Sequence, residues 1–365
     1  MKTNKIIPTS EVRAEQVTNA LAESIYLGVD MHKPFLMVTR ILDQTNPQPA
    51  QKFDWEDFWK FAQKQVGLAK KVYVVYESGA FGFWPARRLQ QMGLSVHVVH
   101  PEKLDPRHKR VQTDRLDSRH LADKLQRYVL GNRKAMASVY IPTEAEERVR
   151  LEARHRRALA GERQRLIARG QGLLLSQGIF STRGWWHPKR WEELQAQVCP
   201  ELARVLGDDR DILLELNQRL QRVNQALVRT APAQLPVGFG KLTWVLLLRE
   251  LCTYRRFEHR RGLGGFTGLC GGVSASGHYH ADLSINKAGS PYLRALLVEL
   301  AWRIVYWQPD YKALQRWKHV FGPNGKARQR KIAIVALAHQ LMVDLWRWQT
   351  GRTTPQALGL KLAGA

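Results

Sequence analysis

The chain of 365 residues is long enough for two or three domains, each with its own hydrophobic core. Its 57 Lys and Arg residues outnumber its 32 Asp and Glu residues, which gives a formal net charge of +25. Such an excess attracts polyanions, and nucleic acid is favoured over a membrane because no run of about 18 apolar residues is present. The first residues lack the apolar segment of a signal peptide, and the three cysteines lack disulfide or zinc spacing, so a cytoplasmic, nucleoid-associated protein is expected.

The N-terminal third alternates apolar runs with helical patterns, after a polar lead-in over residues 1–23. A run that ends at Asp30 is predicted to form a hairpin with the next apolar run, and Asp54 is placed to cap a helix. Two further predicted strands follow, the first ending at Glu77, and then a helix that begins near Thr113. This alternation predicts an α/β domain with a mostly covered sheet.

Four carboxylates of this region are candidate metal ligands. Asp30 and Glu77 end separate predicted strands, and Asp114 and Asp117 are three residues apart, on one face of a helix. Converging carboxylates repel one another, whereas Mg²⁺ (or Mn²⁺) would make the cluster favourable and would suit phosphoryl transfer. A single acid after a strand is more often a turn residue, so the set and its order carry the prediction. His32, which follows Asp30, could be a further ligand, but an exposed loop histidine is the preferred interpretation.

A basic helical region is predicted next. Thr143 and Glu146 form a capping box at the start of a long helix that carries eight arginines. Farther along, apolar residues recur at spacings of three and four, at Leu213, Leu216, Leu220, Val223 and Leu227. Residues 143–230 are therefore predicted to form a helical hairpin, within one chain or shared between subunits; a coiled coil and an ordinary amphipathic pair explain the spacing equally well. Four of the arginines are assigned to nucleic-acid binding: Arg148, Arg154, Arg157 and Arg165.

The C-terminal third is predicted to be helical, with one long glycine-rich loop that ends near Gly277. Glycines let backbone N–H groups approach an anion, and Ser274 and Ser276 lie in this loop. A serine there could attack a phosphate, with His278 or His280 moving the proton; a flexible linker with incidental serines is the alternative. Basic residues in and around the region are assigned to nucleic-acid binding: Lys241, Arg255, Arg256, Arg260, Arg261, Lys287 and Arg294.

Several motifs, in register from about residue 24 to about residue 350, resemble the DEDD-type insertion-sequence transposases, relatives of the Piv invertase described as bridge-RNA-guided recombinases. On the N-terminal side these are YLGVDMHK, VYESGAFGFWPARRL and VQTDRLDSRHLADKL; on the C-terminal side, GLCGGVSASG, SINKAGSPYLRALLVELAW and QPDYKALQRW. The resemblance implies an RNase H-like (RuvC-like) α/β domain over 24–140, a basic helical or coiled-coil region over 141–232, a mainly α serine transposase domain over 233–350, and a C-terminal tail over 351–365.

The resemblance also implies a mechanism and partners. Asp30, Glu77, Asp114 and Asp117 would bind Mg²⁺, and Ser276 would attack a DNA phosphate to form a covalent phosphoserine before free hydroxyls reseal the strands. Ser276 is preferred to Ser274 only by alignment to a Ser-Gly pair. The implied partners are target and donor DNA, a noncoding guide RNA and further copies in a homo-tetramer, a dimer of dimers. The chain departs from the usual family pattern at Gln112, Ser118, Gly271 and Ala275.

Two other functions remain open from the residues. In a RuvC-like nuclease or junction resolvase, the carboxylates alone would cut and the C-terminal domain would only bind. A non-catalytic nucleic-acid-binding protein would explain the net charge equally well, but it gives no reason for four acids at the family's positions.

Overall fold

A computed structural model of the chain describes residues 21–101, 113–277 and 279–363. The described residues divide into two compact units that adjoin in sequence at Ile141 and Pro142. Nearly all of the predicted lead-in, as well as Gln112 and His278, lies outside the described residues. Within the described ranges, no helix combines the length and the apolar character needed to cross a bilayer.

The first unit is a mixed α/β structure. Its elements are β1 (Ala22–Met31), β2 (Leu36–Leu42), β3 (Gln51–Phe53), α1 (Trp55–Val66), β4 (Ala69–Glu77), α2 (Trp84–Gln91), β5 (Ser95–Val99) and α3 (Asp114–Val129). Within the described residues of this unit, the strands form one five-stranded sheet in the order β3-β2-β1-β4-β5. Strands β1, β2 and β3 pair antiparallel, whereas β4 is parallel to both β1 and β5. The α/β prediction for this region is therefore confirmed.

Side-chain alternation places helices on both faces of the sheet. Ile25, Leu27 and Val29 of β1 are buried in one core with α1 and α2, whereas Tyr26 belongs to a second core with α3. The predicted helix cap is confirmed, because the Asp54 carboxylate accepts a hydrogen bond from the backbone of the third residue after it, at 2.7 Å. The sequence did not reveal β3, a short and largely exposed edge strand without an apolar pattern.

The second unit is mostly helical. Its elements are α4 (Glu144–Ser176), α5 (Pro188–Gln195), α6 (Pro200–Arg229), α7 (Lys241–Leu251), α8 (Arg260–Thr267), β6 (Gly271–Ser276), β7 (Tyr279–Ile285), α9 (Pro291–Trp307), α10 (Lys312–Gln315), α11 (Lys318–Phe321) and α12 (Ala327–Gln349). The long helices α4 and α6 pack against each other within the chain. One core joins α7, α9 and α12 through Trp244, Leu297 and Leu341, and α4 and α6 contribute Ala153 and Leu227 to it.

Helices α4 and α6 form the predicted helical hairpin. The capping box at the start of α4 is present, since Thr143 and Glu146 bond reciprocally. Leu213, Leu220 and Leu227 are buried at seven-residue spacing in α6. Helix α4 supplies the same spacing, with Ile167 and Leu174 buried. Buried residues therefore recur every seven residues in both helices, so the heptad pattern predicted for α6 is also present in α4.

The prediction of one long glycine-rich loop is wrong. The segment instead forms α8 and an antiparallel hairpin of β6 and β7, in which Ser276 pairs with Tyr279. Gly268 ends α8 with φ +65°, and Gly277 turns the hairpin with φ +56°, conformations that favour glycine. Backbone hydrogen bonds define this hairpin. Because the residues of β6 are mostly small or polar, the sequence has no alternating apolar pattern that would predict this hairpin.

Candidate functional site

Two of the predicted carboxylates end adjacent parallel strands of the first unit. The register pairs Val29 of β1 with Tyr76 of β4, so Asp30 and Glu77 are the next residues at the same edge of the sheet. Strand alternation turns both away from the core formed with α1 and α2, toward the face that α3 covers. The edge that the sequence predicted as a metal site thus receives an acid from each of two neighbouring strands.

Helix α3 lies close to β1 because Gly28 has no side chain. A Cβ atom at Gly28 would overlap the backbone of Ser118 and Ala122 in α3. The buried Ser118 hydroxyl lies 3.0 Å from the Thr39 hydroxyl of β2 and also bonds to the Arg115 carbonyl. The serine that departs from the family pattern therefore has hydrogen-bonding partners. These contacts set the position of the first turn of α3, which carries Asp114 and Asp117.

His32 joins the carboxylates at this edge. Its Nε2 atom lies 2.9 Å from an oxygen of Asp30 and 3.5 Å from an oxygen of Asp114. His32 does lie in the loop after β1, but its partly exposed ring contacts two acids, which is the placement expected of the alternative interpretation, a further ligand. The Asp-x-His spacing was the available signal. The ligand atoms of Asp30, His32 and Asp114 all lie within 4.8 Å of one another.

The electrostatics of Asp30 reflect this crowding. Burial raises the pKa of the Asp30 carboxyl above its ordinary value, and the nearby Asp114 and Asp117 raise it further. The hydrogen bond and charge of His32 act in the opposite direction. Among the described residues, Glu77 and Asp117 are not within the compact group of three, although Asp117 is near enough to influence Asp30. Of the four predicted carboxylates, Asp30 and Asp114 are therefore the two that the structure brings into one compact group.

Replacing Gly28 with alanine should destabilise the first unit by about 1–3 kcal/mol, because the added methyl group meets helix backbone that cannot rotate away. The matched control is Gly67→Ala, where a Cβ would make only an ordinary contact with the Lys64 carbonyl. Both changes reduce the freedom of the unfolded chain similarly, so this effect cancels in the comparison. Urea unfolding measures the difference; equal stability of the two variants would contradict the close packing of α3 on β1.

The two candidate serines lie on one face of the β6–β7 hairpin. Ser276 is exposed at the last position of β6, whereas Ser274 is partly buried and pairs with Ala281. Cross-strand partners share a face, so Tyr279 lies on the Ser276 side. His280 pairs with Ala275 and lies on the opposite face. The hairpin itself therefore does not bring His280 to Ser276. Tyr279 was not identified from the sequence as the neighbour of Ser276.

Several predicted nucleic-acid-binding cations have partners within the second unit. Arg154 bonds to the buried Glu250 carboxylate at 3.0 Å. The remaining contacts are those of Arg256 with the Leu251 carbonyl, Arg294 with the Thr267 carbonyl at the end of α8, and Arg157 with the Tyr292 ring. These side chains contribute to packing and helix ends, whatever else they bind.

The other predicted cations are more accessible. Arg148 pairs with Glu144 and Arg165 with Glu162, each within α4. Exposed pairs of this kind cost little to break. Five further residues are exposed near the start of α7, the start of α8 or the end of the hairpin: Lys241, Arg255, Arg260, Arg261 and Lys287. The basic character of the second unit is thus distributed over several surfaces.

Comparison with known proteins identifies the family. Residues 234–316 match the transposase family IS116/IS110/IS902. The putative transposase y4rJ of Sinorhizobium fredii (strain NBRC 101917 / NGR234) is 31% identical over 315 residues, 79% of each chain. The transposase for insertion sequence element IS1328 of Yersinia enterocolitica is 26% identical over 286 residues, which cover 75% of this chain and 82% of the relative. The chain therefore belongs to the IS116/IS110/IS902 family of insertion-sequence transposases.

Proposed function

We propose that this transposase cuts and rejoins DNA through Ser276, with a divalent cation bound by the carboxylates of the first unit. The observation that carries the proposal is the convergence of Asp30, His32 and Asp114 at the edge of the sheet. A protein that only binds a polyanion gains nothing from acids held together, since their mutual repulsion is unfavourable. A cation-dependent enzyme does gain from them.

The residues at this edge fit a divalent cation. Carboxylate oxygens are the ligands that Mg²⁺ and Mn²⁺ prefer, and Asp30 and Asp114 each direct one toward the same small space. We propose that Glu77 and Asp117 complete the set and that His32 orients Asp30 or supplies a nitrogen ligand. When bound, the cation would activate a nucleophilic oxygen or stabilise a leaving oxygen. The protein's own residues hold and orient these groups.

We also propose that the first unit is an RNase H-like (RuvC-like) domain. The mixed sheet, with antiparallel β1 to β3 continued by parallel β4 and β5, supports this assignment, as do the acids at its edge. The proposed domains are residues 24–140, the basic helical region 141–232, the serine transposase domain 233–350 and the tail 351–365. Helix α6 of the hairpin ends at Arg229, and helices α7 to α12 lie between Lys241 and Gln349. These ends are compatible with the proposed boundaries after residues 232 and 350.

In the proposed reaction, the Ser276 oxygen attacks the phosphorus of a DNA phosphodiester. A bond from phosphorus to serine forms as the bond to one DNA oxygen breaks; the serine proton passes to water, and the released DNA oxygen takes a proton from water. A hydroxyl of the exchanged strand later attacks the phosphoserine, restores a phosphodiester and releases the serine. The exposed position of Ser276 at the hairpin tip supports its role, because a DNA strand can approach it there.

The proposed partners follow from charge and from the family resemblance. Target and donor DNA supply the strands that are exchanged, and a structured noncoding RNA is proposed as the guide. A homo-tetramer, a dimer of dimers, is proposed as the active assembly. The net charge of +25 supports polyanionic partners in general but does not choose between DNA and RNA.

The direct test is to trap the covalent intermediate. The wild-type protein is incubated with supercoiled DNA that carries the element ends and Mg²⁺, and quenched samples are digested with nuclease and protease. Mass spectrometry should then find a nucleotide on the peptide that contains Ser276. Cleavage without any adduct would instead favour a carboxylate-dependent nuclease and would contradict the serine mechanism.

A further inference from the structure

A groove runs along the helical hairpin between α4 and α6. The helices are antiparallel there, because Arg156 contacts Asn224 and Arg163 contacts Asn217 in reverse order. The groove has a volume of about 700 Å³. It is lined by two arginines and several amide side chains, with a few small or apolar residues, and no carboxylate is among its described lining residues.

The two arginines are held in a particular way. The Arg156 Nε atom donates to the Asn224 side-chain oxygen at 3.1 Å, and the Arg163 Nε atom donates to the Asn217 oxygen at 2.6 Å. An amide oxygen is neutral, so it orients the guanidinium group without cancelling its charge. Within the described part of the chain, neither arginine forms an ion pair with a carboxylate. Two oriented positive charges therefore border the groove.

Other arginines of α4 differ in this respect. Arg148, Arg154 and Arg165 each pair with a glutamate, and Arg169 pairs with Asp209. All of them look alike in the sequence, because it does not show which residues of α6 or α7 face them. The structure separates arginines with acidic partners from those held by amides.

The spacing of the two amide-held arginines suits a repeating polyanion. They are seven residues apart, which corresponds to about 10.5 Å along a helix that rises about 1.5 Å per residue. Successive phosphates of one strand in a B-form duplex advance by about 3.4 Å, so this interval spans about three of them. Guanidinium groups bind phosphate oxygens with well-defined geometry, and amides of the groove can add hydrogen bonds.

We propose that the α4–α6 groove is a binding site for a phosphodiester backbone, with Arg156 and Arg163 as the phosphate contacts. A second copy of the hairpin is a poorer occupant, because it would bring the same arginines against these two. A groove with no carboxylate among its described lining residues, in a chain of net charge +25, complements a nucleic acid instead. The site uses neither Ser276 nor the carboxylates, so it does not depend on their proposed chemistry.

The first experiment compares two double variants of the full-length protein that lose the same charge. Arg156→Gln with Arg163→Gln changes the groove, and Arg219→Gln with Arg222→Gln changes α6 outside it, where both arginines pair with Glu215. Binding to labelled single-stranded RNA and to duplex DNA is measured by fluorescence anisotropy over a range of salt concentrations. The groove variant should reduce the slope of log K against log salt by about 2, one for each phosphate contact. The control should reduce it by less than half as much.

A second comparison separates binding from a structural role, since polar seam residues can also fix the register of paired helices. Asn217→Asp keeps the size of the side chain and gives Arg163 an acidic partner, so the hairpin should stay folded while the cation is neutralised. The matched control is Gln218→Glu, the next residue, which is exposed and does not line the groove. Asn217→Asp should lower the salt slope by about 1 without lowering the melting temperature, and Gln218→Glu should do neither.

The results with RNA and with duplex DNA show which nucleic acid the groove binds. A loss on RNA alone assigns the groove to an RNA strand, a loss on duplex DNA alone assigns it to DNA, and a loss on both leaves the shared phosphodiester as the ligand. Should Arg156→Gln with Arg163→Gln fail to fold, Asn217→Asp remains the deciding variant. Wild-type slopes for Asn217→Asp on both ligands would overturn the proposal and leave the Arg–Asn pairs with a structural role only.

Discussion

Replacing Ser276 with alanine should abolish the covalent protein–DNA adduct and reduce recombination by about 10³-fold or more, because no other group is proposed to attack the phosphate. The loss should be in the chemical step, and the affinity for element DNA should remain close to that of the wild type. Ser276 is exposed at the end of β6, so removal of its hydroxyl should change stability by no more than about 0.5 kcal/mol. Quantitative adduct trapping and a gel assay of strand exchange measure the two effects.

The matched control is Ser274→Ala, on the same strand and the same face. Two residues of an antiparallel strand span about 6.8 Å, so the two hydroxyls cannot take the same position against a phosphate. Ser274 is also less exposed than Ser276. This variant should therefore form the adduct at a nearly normal rate. If Ser274→Ala loses the adduct and Ser276→Ala retains it, the nucleophile has been assigned to the wrong serine.

The sequence predicts the strands and the helix that carry the acids of the N-terminal unit, since strand ends and helix starts have local signals. Apolar runs end at Asp30 and Glu77, and the next helix begins with Asp114. The close approach of α3 to β1 also depends on Gly28, but nothing local shows which helix that glycine faces. The position of His32 between Asp30 and Asp114 depends on residues that lie far apart in the sequence. Only the folded chain brings them together.

The C-terminal unit was less predictable, for two physical reasons. The β6 strand consists of small and polar residues, so its backbone pairing with β7 leaves no hydrophobic alternation in the sequence. The state of each arginine depends on partners far along the chain: Glu250 is 96 residues from Arg154, and Asn217 is 54 residues from Arg163. Composition therefore predicts a basic region, but it does not identify which cations keep their charge available.

Replacing Asp30 with asparagine should have two opposite effects. Strand cleavage in Mg²⁺ should fall by about 10²- to 10⁴-fold, since a bound cation supplies several kcal/mol of transition-state stabilisation and Asp30 is central to its proposed ligands. In the absence of divalent cations at pH 7, the same change should raise the free energy of unfolding. The amide has the shape of the acid but carries no charge, so it relieves the repulsion from Asp114 and Asp117.

The sign of the stability effect follows from the pKa of Asp30. Burial and the neighbouring acids raise that pKa in the folded protein above its value in the unfolded chain. As pH rises from the unfolded pKa through the folded pKa, the unfolded chain loses its proton first, so the free energy of unfolding decreases. The decrease persists at neutral pH. The amide of the Asp30→Asn variant cannot ionise, so the stabilisation relative to wild type should be present at pH 7 and should diminish as the pH is lowered through this window.

Binding of a divalent cation should make the wild type more stable than the Asp30→Asn variant. Mg²⁺ that binds only the folded protein raises the melting temperature of the wild type in a concentration-dependent manner, and it offsets the repulsion among the acids. Asp30→Asn should show a much smaller shift, with NaCl used to match ionic strength. Asp123→Asn, on α3 but outside the Asp30–His32–Asp114 group, should respond like the wild type. An equal Mg²⁺ shift in the wild type and Asp30→Asn would mean that the cation binds elsewhere, and the carboxylates would then need another explanation for being held so close together.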